Sequence, residues 1–448
     1  MKTKQKFSMT EGSIVKAMIA FTVPLMIGQF FQEMYNTTNA LIVGIFLGSE
    51  ELAAVTSTGS LINLFIGFFN GTSVGAGVII ATFYGAKNYK NLKASIHTNI
   101  AFSVLCAVIV TIVGIVFTPQ ILKMMGTPDD VLVYAVKYLR VYFAGSIGVV
   151  LYNMCRGTLQ AVGDSKHPLY YLVISSCTNI VLTVIFCGVL RLGVEYAALS
   201  TVISQMLSVC LCMYRLTHTN EIYKVEWREI RLTIGMLKRI ITVGLPMGIQ
   251  NSVTAISNVI IQSSINAFGT LAMAGSGAHA KIEAFVFLPV TCFTMTLTTF
   301  VGQNLGAKKI ERVKKGSFFG VGCLMILTEL VGIFMYIFAP RLISMFDSSS
   351  EVVGYGTTHM RTVCLFYFLM AFSHGVSAIL RGTGKSIVPM GVIMFAWCGF
   401  RMVYVSIVTK LFEGIQAVFW VYPISWALSA GIFLLCILKV NWMEIEKE

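Results

Sequence analysis

The sequence predicts an all-α membrane protein, with twelve transmembrane helices in two pseudo-symmetric six-helix bundles. Three observations lead there: the composition, the lengths of the apolar runs, and an internal repeat. Of the 448 residues, 56% are hydrophobic and only 12% are charged. A soluble domain carries about 25% charged and about 45–50% apolar residues. So much apolar surface cannot be hidden in one soluble core, and the solvent must be lipid.

Crossing the hydrocarbon takes about 20 predominantly apolar residues per helix. Apolar runs set against polar breaks place spans at roughly 14–47, 52–82, 94–118, 131–155, 168–190 and 194–214. A polar stretch at 215–235 follows, then spans at roughly 236–267, 271–303, 316–339, 355–379, 387–411 and 414–439. The chain therefore reads as an N-terminal six-helix lobe (1–214), a cytoplasmic connector (215–235) and a C-terminal six-helix lobe (236–448). The opening MKTKQKFSMTEGS is short and polar and reads as a mature terminus, not a signal peptide. Pro24 and Pro246 sit near the start of the first and seventh spans, where bends are expected.

Lysine and arginine set the orientation. One side, with both termini and the connector, collects 24 of the 33 basic residues, against Lys123, Arg191, Arg341 and Lys410 on the other. The richer side is the cytoplasmic one, in a multi-pass protein of the bacterial inner (plasma) membrane. The same placement explains the net charge of +13. The basic residues form short blocks beside apolar runs, where topology and anionic head groups account for them, so no nucleic-acid partner is expected. The eleven cysteines include no CxxC pair and read as reduced thiols on helix faces.

The two halves match at a nearly fixed offset. Gly85-Ala86-Lys87 and Gly306-Ala307-Lys308, Pro119 and Pro340, Arg140 and Arg361, Gly163 and Gly384, Pro168 and Pro389, and Gly193 and Gly414 all lie 221 apart. Pro24 and Pro246 lie 222 apart. An even number of spans per unit inserts both halves the same way, with a binding cavity expected between them, as in transporters built from parallel repeats.

Ionisable groups inside a bilayer are costly, so each invites a functional role. Glu33, Glu283 and Glu329 are the acids well inside spans. At 100° per residue Gln29, Gln32, Glu33, Asn36 and Asn39 share one arc of the first helix, which should face the lobe interior or a cleft. The seventh span carries its own polar face, Gln250, Asn251, Thr254, Ser257, Asn258 and Gln262, with Asn258 and Asn251 as counterparts of Asn36 and Gln29. Gln29, Gln250, Asn251, Thr254 and Asn258, with Glu283 and His279, are the candidate substrate-cleft residues. His279 and Glu283, four apart, share a helix face as a protonatable couple or a local ion pair. Glu329 has no local partner; it is either permanently protonated or in contact with a neighbouring helix. Arg140, Arg361 and Arg401 read as snorkelling or paired within a lobe. His374 reads as a satisfied polar group in a helix interface, or as a group titrating near neutral pH.

Several stretches together resemble the multidrug and toxic compound extrusion (MATE) family: Pro24 and Gln29 with YNTTNALIVGIFLGSEELAAV from Tyr35 to Val55, YGAKN and its repeat VGQNLGAKK, and CRGTLQAVGDSKHP with its partner LRGTGKSIVP. The match covers nearly the whole chain. The resemblance implies two lobes around a central cleft and alternating access that expels compounds in exchange for protons or sodium. One bacterial branch of the family has an aspartate where this chain has Asn39, and an Asn-x-x-x-Asp pattern matched by Asn179 and Thr183. A threonine of that branch is kept as Thr201. The cation-coupling set this implies is Glu33, Asn36, Asn39, Asn179, Thr183 and Thr201. Asn39, Asn179 and Thr201 offer oxygens to sodium, but amides and hydroxyls do not titrate near neutral pH.

The expected function is secondary active multidrug efflux of cationic or neutral amphipathic compounds; the alternative is a flippase for lipid-linked saccharide. The neutral and acidic cleft residues favour the former. No HExxH, GxSxG or paired intramembrane aspartates occur, so an enzyme is not expected. RGTGKS at 381–386 lacks the first glycine of a phosphate loop, having Ile379 there, and reads as a cytoplasmic turn with Ser386 capping the next helix and Pro389 in its first turn. Asp164, Ser165 and Pro168 read as the same arrangement in the first half. No cofactor is expected beyond a transported proton or sodium ion. The expected partners are a small-molecule substrate and the bilayer, for a monomer.

Overall fold

The computed structural model describes residues 9–412 and 414–439, and every regular element among them is helical. The termini at 1–8 and 440–448, assigned above to the cytoplasm, lie outside the described residues. The first half runs α1 Ile14–Phe46, α2 Ser49–Gly85, α3 Tyr89–Met124, α4 Asp129–Ala144, α5 Ser146–Ala161, α6 Lys166–Thr183 and α7 Val194–Thr217. The second runs α8 Ile234–Asn266, α9 Thr270–Gly306, α10 Ile310–Ser344, α11 Ser350–Val363, α12 Tyr367–Gly382, α13 Ile387–Ile393, α14 Phe400–Leu411, α15 Ile415–Phe419 and α16 Val421–Lys439. Helices α4 and α5 form one span bent by 49°, and π-helical turns extend α6 and join α13 to α14. Among the described residues ten helices are long and apolar enough to cross a membrane, and the bent pair makes eleven. The twelfth, α8, is as long as α1 at 33 residues, but its run of amides and hydroxyls interrupts the apolar stretch. Several helices outrun their apolar cores: the span expected at 94–118 is helical from Tyr89 to Met124, because backbone hydrogen bonding continues past the hydrocarbon into the head-group region.

The repeat governs geometry as well as sequence. Helices α2 and α9, each of 37 residues, start and end 221 positions apart, as do α5 and α12. Gly163 (φ 89°) and Gly384 (φ 86°) close α5 and α12 in the left-handed region, where a Cβ would be strained. The outward stripes also correspond. Leu105, Ile109, Ile112 and Val116 of α3 match Ile326, Leu330, Ile333 and Ile337 of α10, all of them exposed to lipid.

The chain forms two compact units: Val23–Gly248, and the residues up to Thr22 together with those from Ile249 onward. The division runs through α1 and α8. In the Val23–Gly248 unit the first half of α8 lies so close on α2 that a Cβ on Gly75 would collide with the Gly244 backbone. The repeat-equivalent place in the other unit is a hydroxyl pair, Thr22 Oγ1 to Thr296 Oγ1 at 2.8 Å. Residues 215–235 pack into the Val23–Gly248 unit: Tyr223 and Val225 join a core with Leu92, Ile96 and Leu216. His97 fastens this segment, with Nδ1 2.7 Å from the Lys93 carbonyl and Nε2 accepting the Glu226 N–H at 3.0 Å.

Each unit has a break in the middle of a span, and a neighbouring helix closes it. At the α4–α5 break the hydroxyls of Ser146 and Thr111 pair at 2.8 Å. At the α11–α12 break Glu329 of α10 accepts the Phe368 N–H at 3.1 Å. Glu329 therefore does contact a neighbouring helix, supplying an acceptor to a helix start that has lost its own.

Two local expectations are corrected. Ser386 stands before α13 but makes no capping bond, because its backbone is already helical (φ −71°, ψ −21°) and its hydroxyl is buried without a partner. At the start of α6 the cap is Asp164, not Ser165: its carboxylate accepts the His167 N–H at 3.2 Å and lies 2.6 Å from His167 Nδ1. Burial by itself would raise the Asp164 pKa, but the hydrogen bonds and charge of His167, with Arg215 at 3.9 Å, outweigh it and hold the carboxyl below its ordinary range.

Two outcomes follow. Gly75→Val should lower the melting temperature of the detergent-purified protein, overpacking of this kind costing about 1–3 kcal/mol. Asp164 ionises more readily folded than unfolded, so its contribution is present above about pH 4 and fades as the pH falls through the folded value. Asp164→Asn should therefore melt lower than wild type at pH 7, by about 1–2 kcal/mol, with the two curves converging in acid.

Candidate functional site

Sequence-predicted polar residues of the spans meet in one cluster in each unit. In the Val23–Gly248 unit the gathering point is Thr183, fully buried at the end of α6. Its hydroxyl lies 3.2 Å from Asn39 Oδ1 and 2.7 Å from Ser200 Oγ, and donates to the Asn179 carbonyl at 2.8 Å. One turn away, Asn179 Nδ2 donates to Thr201 Oγ1 at 3.2 Å and Ser204 Oγ at 3.3 Å. Asn179 Oδ1 is buried with no hydrogen-bond partner. Asn39, Asn179, Thr183 and Thr201 thus converge from α1, α6 and α7. The cluster has oxygen ligands in abundance, and the orphaned Asn179 oxygen suits a monovalent cation, but none of these groups titrates near neutral pH.

Glu33 and Asn36 are exposed, while Gln29 is half-buried.

The other unit gathers charge. Arg401, at the start of α14, is 2% exposed. Its Nε donates to Ser425 Oγ at 2.8 Å and its NH1 to Asn258 Oδ1 at 3.4 Å. The guanidinium lies 4.9 Å from the Trp397 ring centre and 5.0 Å from that of Tyr422. Glu283 of α9 accepts the Tyr367 hydroxyl at 3.2 Å, and His279 Nε2 is 3.8 Å from the same oxygen. Glu283 and Arg401 are near enough to feel each other's charge, but the arginine is held by neutral hydrogen bonds and ring faces rather than by a carboxylate. Around them His279 faces His359 at 4.2 Å, and His359 stacks on Phe419 at 4.0 Å.

On α8, Asn258 joins this group through Arg401, and Ser257 donates to the Trp397 carbonyl at 2.6 Å, where the π turn displaces the backbone. Gln250 is buried, with its Oε1 unpartnered, and Thr254 bonds back to the Gln250 carbonyl at 2.8 Å. Asn251 is half-buried. His374 lies 5.2 Å from Trp397 and 6.3 Å from Phe287, and its Nε2 is buried without a partner, so it is not a satisfied interface group.

The MatE family model matches residues 24–185 and again 246–407, once in each repeat. The chain belongs to the MatE family. Among curated relatives it is similar to "Probable multidrug resistance protein YoeA" of Bacillus subtilis, 28% identical over 96% of this chain and 95% of that one. It is similar also to "Multidrug export protein MepA" of Staphylococcus haemolyticus, 22% identical over 100% of this chain and 98% of that one. Among solved structures, "Crystal structure of MATE in the bent conformation" superposes with a TM-score of 0.92 at 24% identity, covering 99% of both chains. An outward-facing MATE transporter of the MOP superfamily gives 0.90 at 23% identity, again over 99% of both. These structural likenesses concern the MATE fold.

Sequence reasoning missed Ser200, Ser204, Tyr367, His359 and Ser425 of these clusters. Ser200 and Ser204 were findable, since Ser204 stands three positions from Thr201 and four from Ser200 on the same helix. Tyr367, His359 and Ser425 lie on separate helices and carry no local signal. In this MatE member Thr183→Val should remove the hub of the neutral cluster, costing about 1–3 kcal/mol for the polar partners left unpaired, seen as a lower melting temperature.

Proposed function

We propose that the protein exports organic compounds, cationic or neutral amphipathic, by alternating access, in exchange for protons, with Glu283 as the coupling carboxylate. Membership of the MatE family supports export, and relatives named for multidrug resistance and export support the cargo class while giving no preference to a saccharide-lipid flippase. One observation favours Glu283: it is seated in a network with a tyrosine, a histidine and an arginine. Tyr367 donates to it, His279 lies beside it and Arg401 is within reach of its charge. Glu329 is committed to the Phe368 amide, and Glu33 is exposed. A carboxylate near one fixed positive charge alternates between a compensated ionised form and a neutral form that leaves Arg401 alone. Loading a proton thus changes the electrostatic balance of the unit in one step.

The orphaned oxygen of Asn179 favours a second reading, in which the neutral cluster of Asn39, Asn179, Thr183 and Thr201 takes a sodium ion as the exchanged species. Purified protein in liposomes separates the two. A dye gradient formed under an imposed proton gradient, lost in Glu283→Gln and kept in Glu33→Gln, is the expected result. Proton-driven efflux that survives Glu283→Gln overturns the assignment, and efflux that follows only a sodium gradient moves coupling to the neutral cluster.

A further inference from the structure

Resting on the reading of Glu283 as the coupling group, we propose that His359 and His279 form a proton relay that loads Glu283 from the side of the membrane at which α9 begins. The two imidazoles lie on different helices, α11 and α9, with ring centres 4.2 Å apart and planes inclined at 50°. Both are almost wholly buried, at 5% and 1% exposure. The second ring reaches Glu283 directly, His279 Nε2 to Glu283 Oε1 at 3.8 Å.

A merely structural pair would be hydrogen-bonded, because an unpaired buried polar atom costs about 1–3 kcal/mol. Here His279 Nδ1, His279 Nε2 and His359 Nδ1 are all buried without a hydrogen-bond partner. Two further unpartnered polar atoms lie close by: Ser276 Oγ, one helical turn before His279, and Trp426 Nε1, whose ring neighbours Tyr422 and Tyr367. Such a concentration marks a path for water and protons rather than a dry core.

The surroundings hold the rings in file. Phe419 of α15 lies parallel to His359, at 4.0 Å and 2°, and Tyr422 of α16 lies 5.6 Å from it. The ionisable groups of the packed elements include Glu283 on α9, Glu329 on α10, Arg361 on α11, Tyr367 on α12, Arg401 on α14 and Tyr422 on α16. His279 stands nine positions into α9, about 14 Å from its start at 1.5 Å per residue. That end carries the loop assigned to the exterior by the lysine and arginine count.

Each hop is balanced. A proton taken up by His359 passes to His279 Nδ1, breaking one N–H bond and forming another. His279 then releases the proton on Nε2 to Glu283, forming the carboxyl O–H, and both rings return to neutral.

The test uses the full chain in liposomes, with dye export driven by an acidic compartment on the α9-start side. His359→Phe preserves the stack on Phe419 but cannot carry a proton. It should reduce the proton-driven rate about tenfold or more, removal of a proton-transfer group typically costing at least that, while gradient-free dye exchange and melting temperature stay at wild-type values. In His359→Ala, which opens space for it, millimolar imidazole should restore the rate. His359→Gln, with a polar amide in place of the ring, should fail in the same way and serves if the Phe variant is unstable. A wild-type proton-driven rate in the Phe or Gln variant, or a slow rate in His359→Ala that imidazole leaves unchanged, overturns the relay. If Glu283→Gln is inactive in the same assay, the coupling assignment survives that loss; if it transports normally, the coupling assignment itself falls.

Discussion

Lipid cannot hydrogen-bond, so every polar group at membrane depth must find its partner inside the protein. The helical architecture is the first consequence, because a helix satisfies its own backbone along most of its length. Where a span breaks, the exposed amides need help. Glu329 provides it at the α11–α12 break, while at the α4–α5 break Ser146 and Thr111 pair their own hydroxyls. The repeat therefore conserves the break while varying the chemistry beside it. The tight crossings behave alike: a glycine contact at Gly75 and Gly244 stands where the other unit has the Thr22–Thr296 hydroxyl pair.

The same rule divides the two polar clusters by what they can do. In the Val23–Gly248 unit, amides and hydroxyls satisfy one another around Thr183, with the Asn179 oxygen left over. Such a group can bind a cation but cannot exchange a proton. In the other unit a carboxylate, a guanidinium and two imidazoles share one aromatic enclosure, and their partners are incomplete. Incomplete satisfaction is costly, and a folded chain retains it where the groups must change protonation state or partner. On the proposed reading, coupling lies at Glu283 and not where one branch of the family keeps its aspartates, while the two repeats agree in geometry.

How far this was legible depended on the range of the interaction. Binary pattern and the 221-residue offset are local or periodic, so spans, repeat and family were readable; so was the His279–Glu283 pair, four residues apart on one helix. The cap at Asp164 was misassigned to its neighbour, because side-chain reach at a turn depends on a backbone angle that composition does not report. Glu329 offered two readings until the break at Phe368 put an amide beside it. The polar arc of the first span was visible as an arc, yet its members part company: Asn39 meets Thr183, while Glu33 and Asn36 remain exposed.

The sequence by itself determined the solvent, the spanning helices, the duplication and the family, since these follow from how many apolar residues stand in a row and at what interval motifs recur. Tertiary structure decided which polar residues meet. His359, Tyr367, Arg401 and Ser425 come to Glu283 from four helices, and their distances depend on how those helices pack. It also decided where the chain divides, inside α1 and α8. Compactness follows contacts between helices, and residues 215–235 pack into the Val23–Gly248 unit.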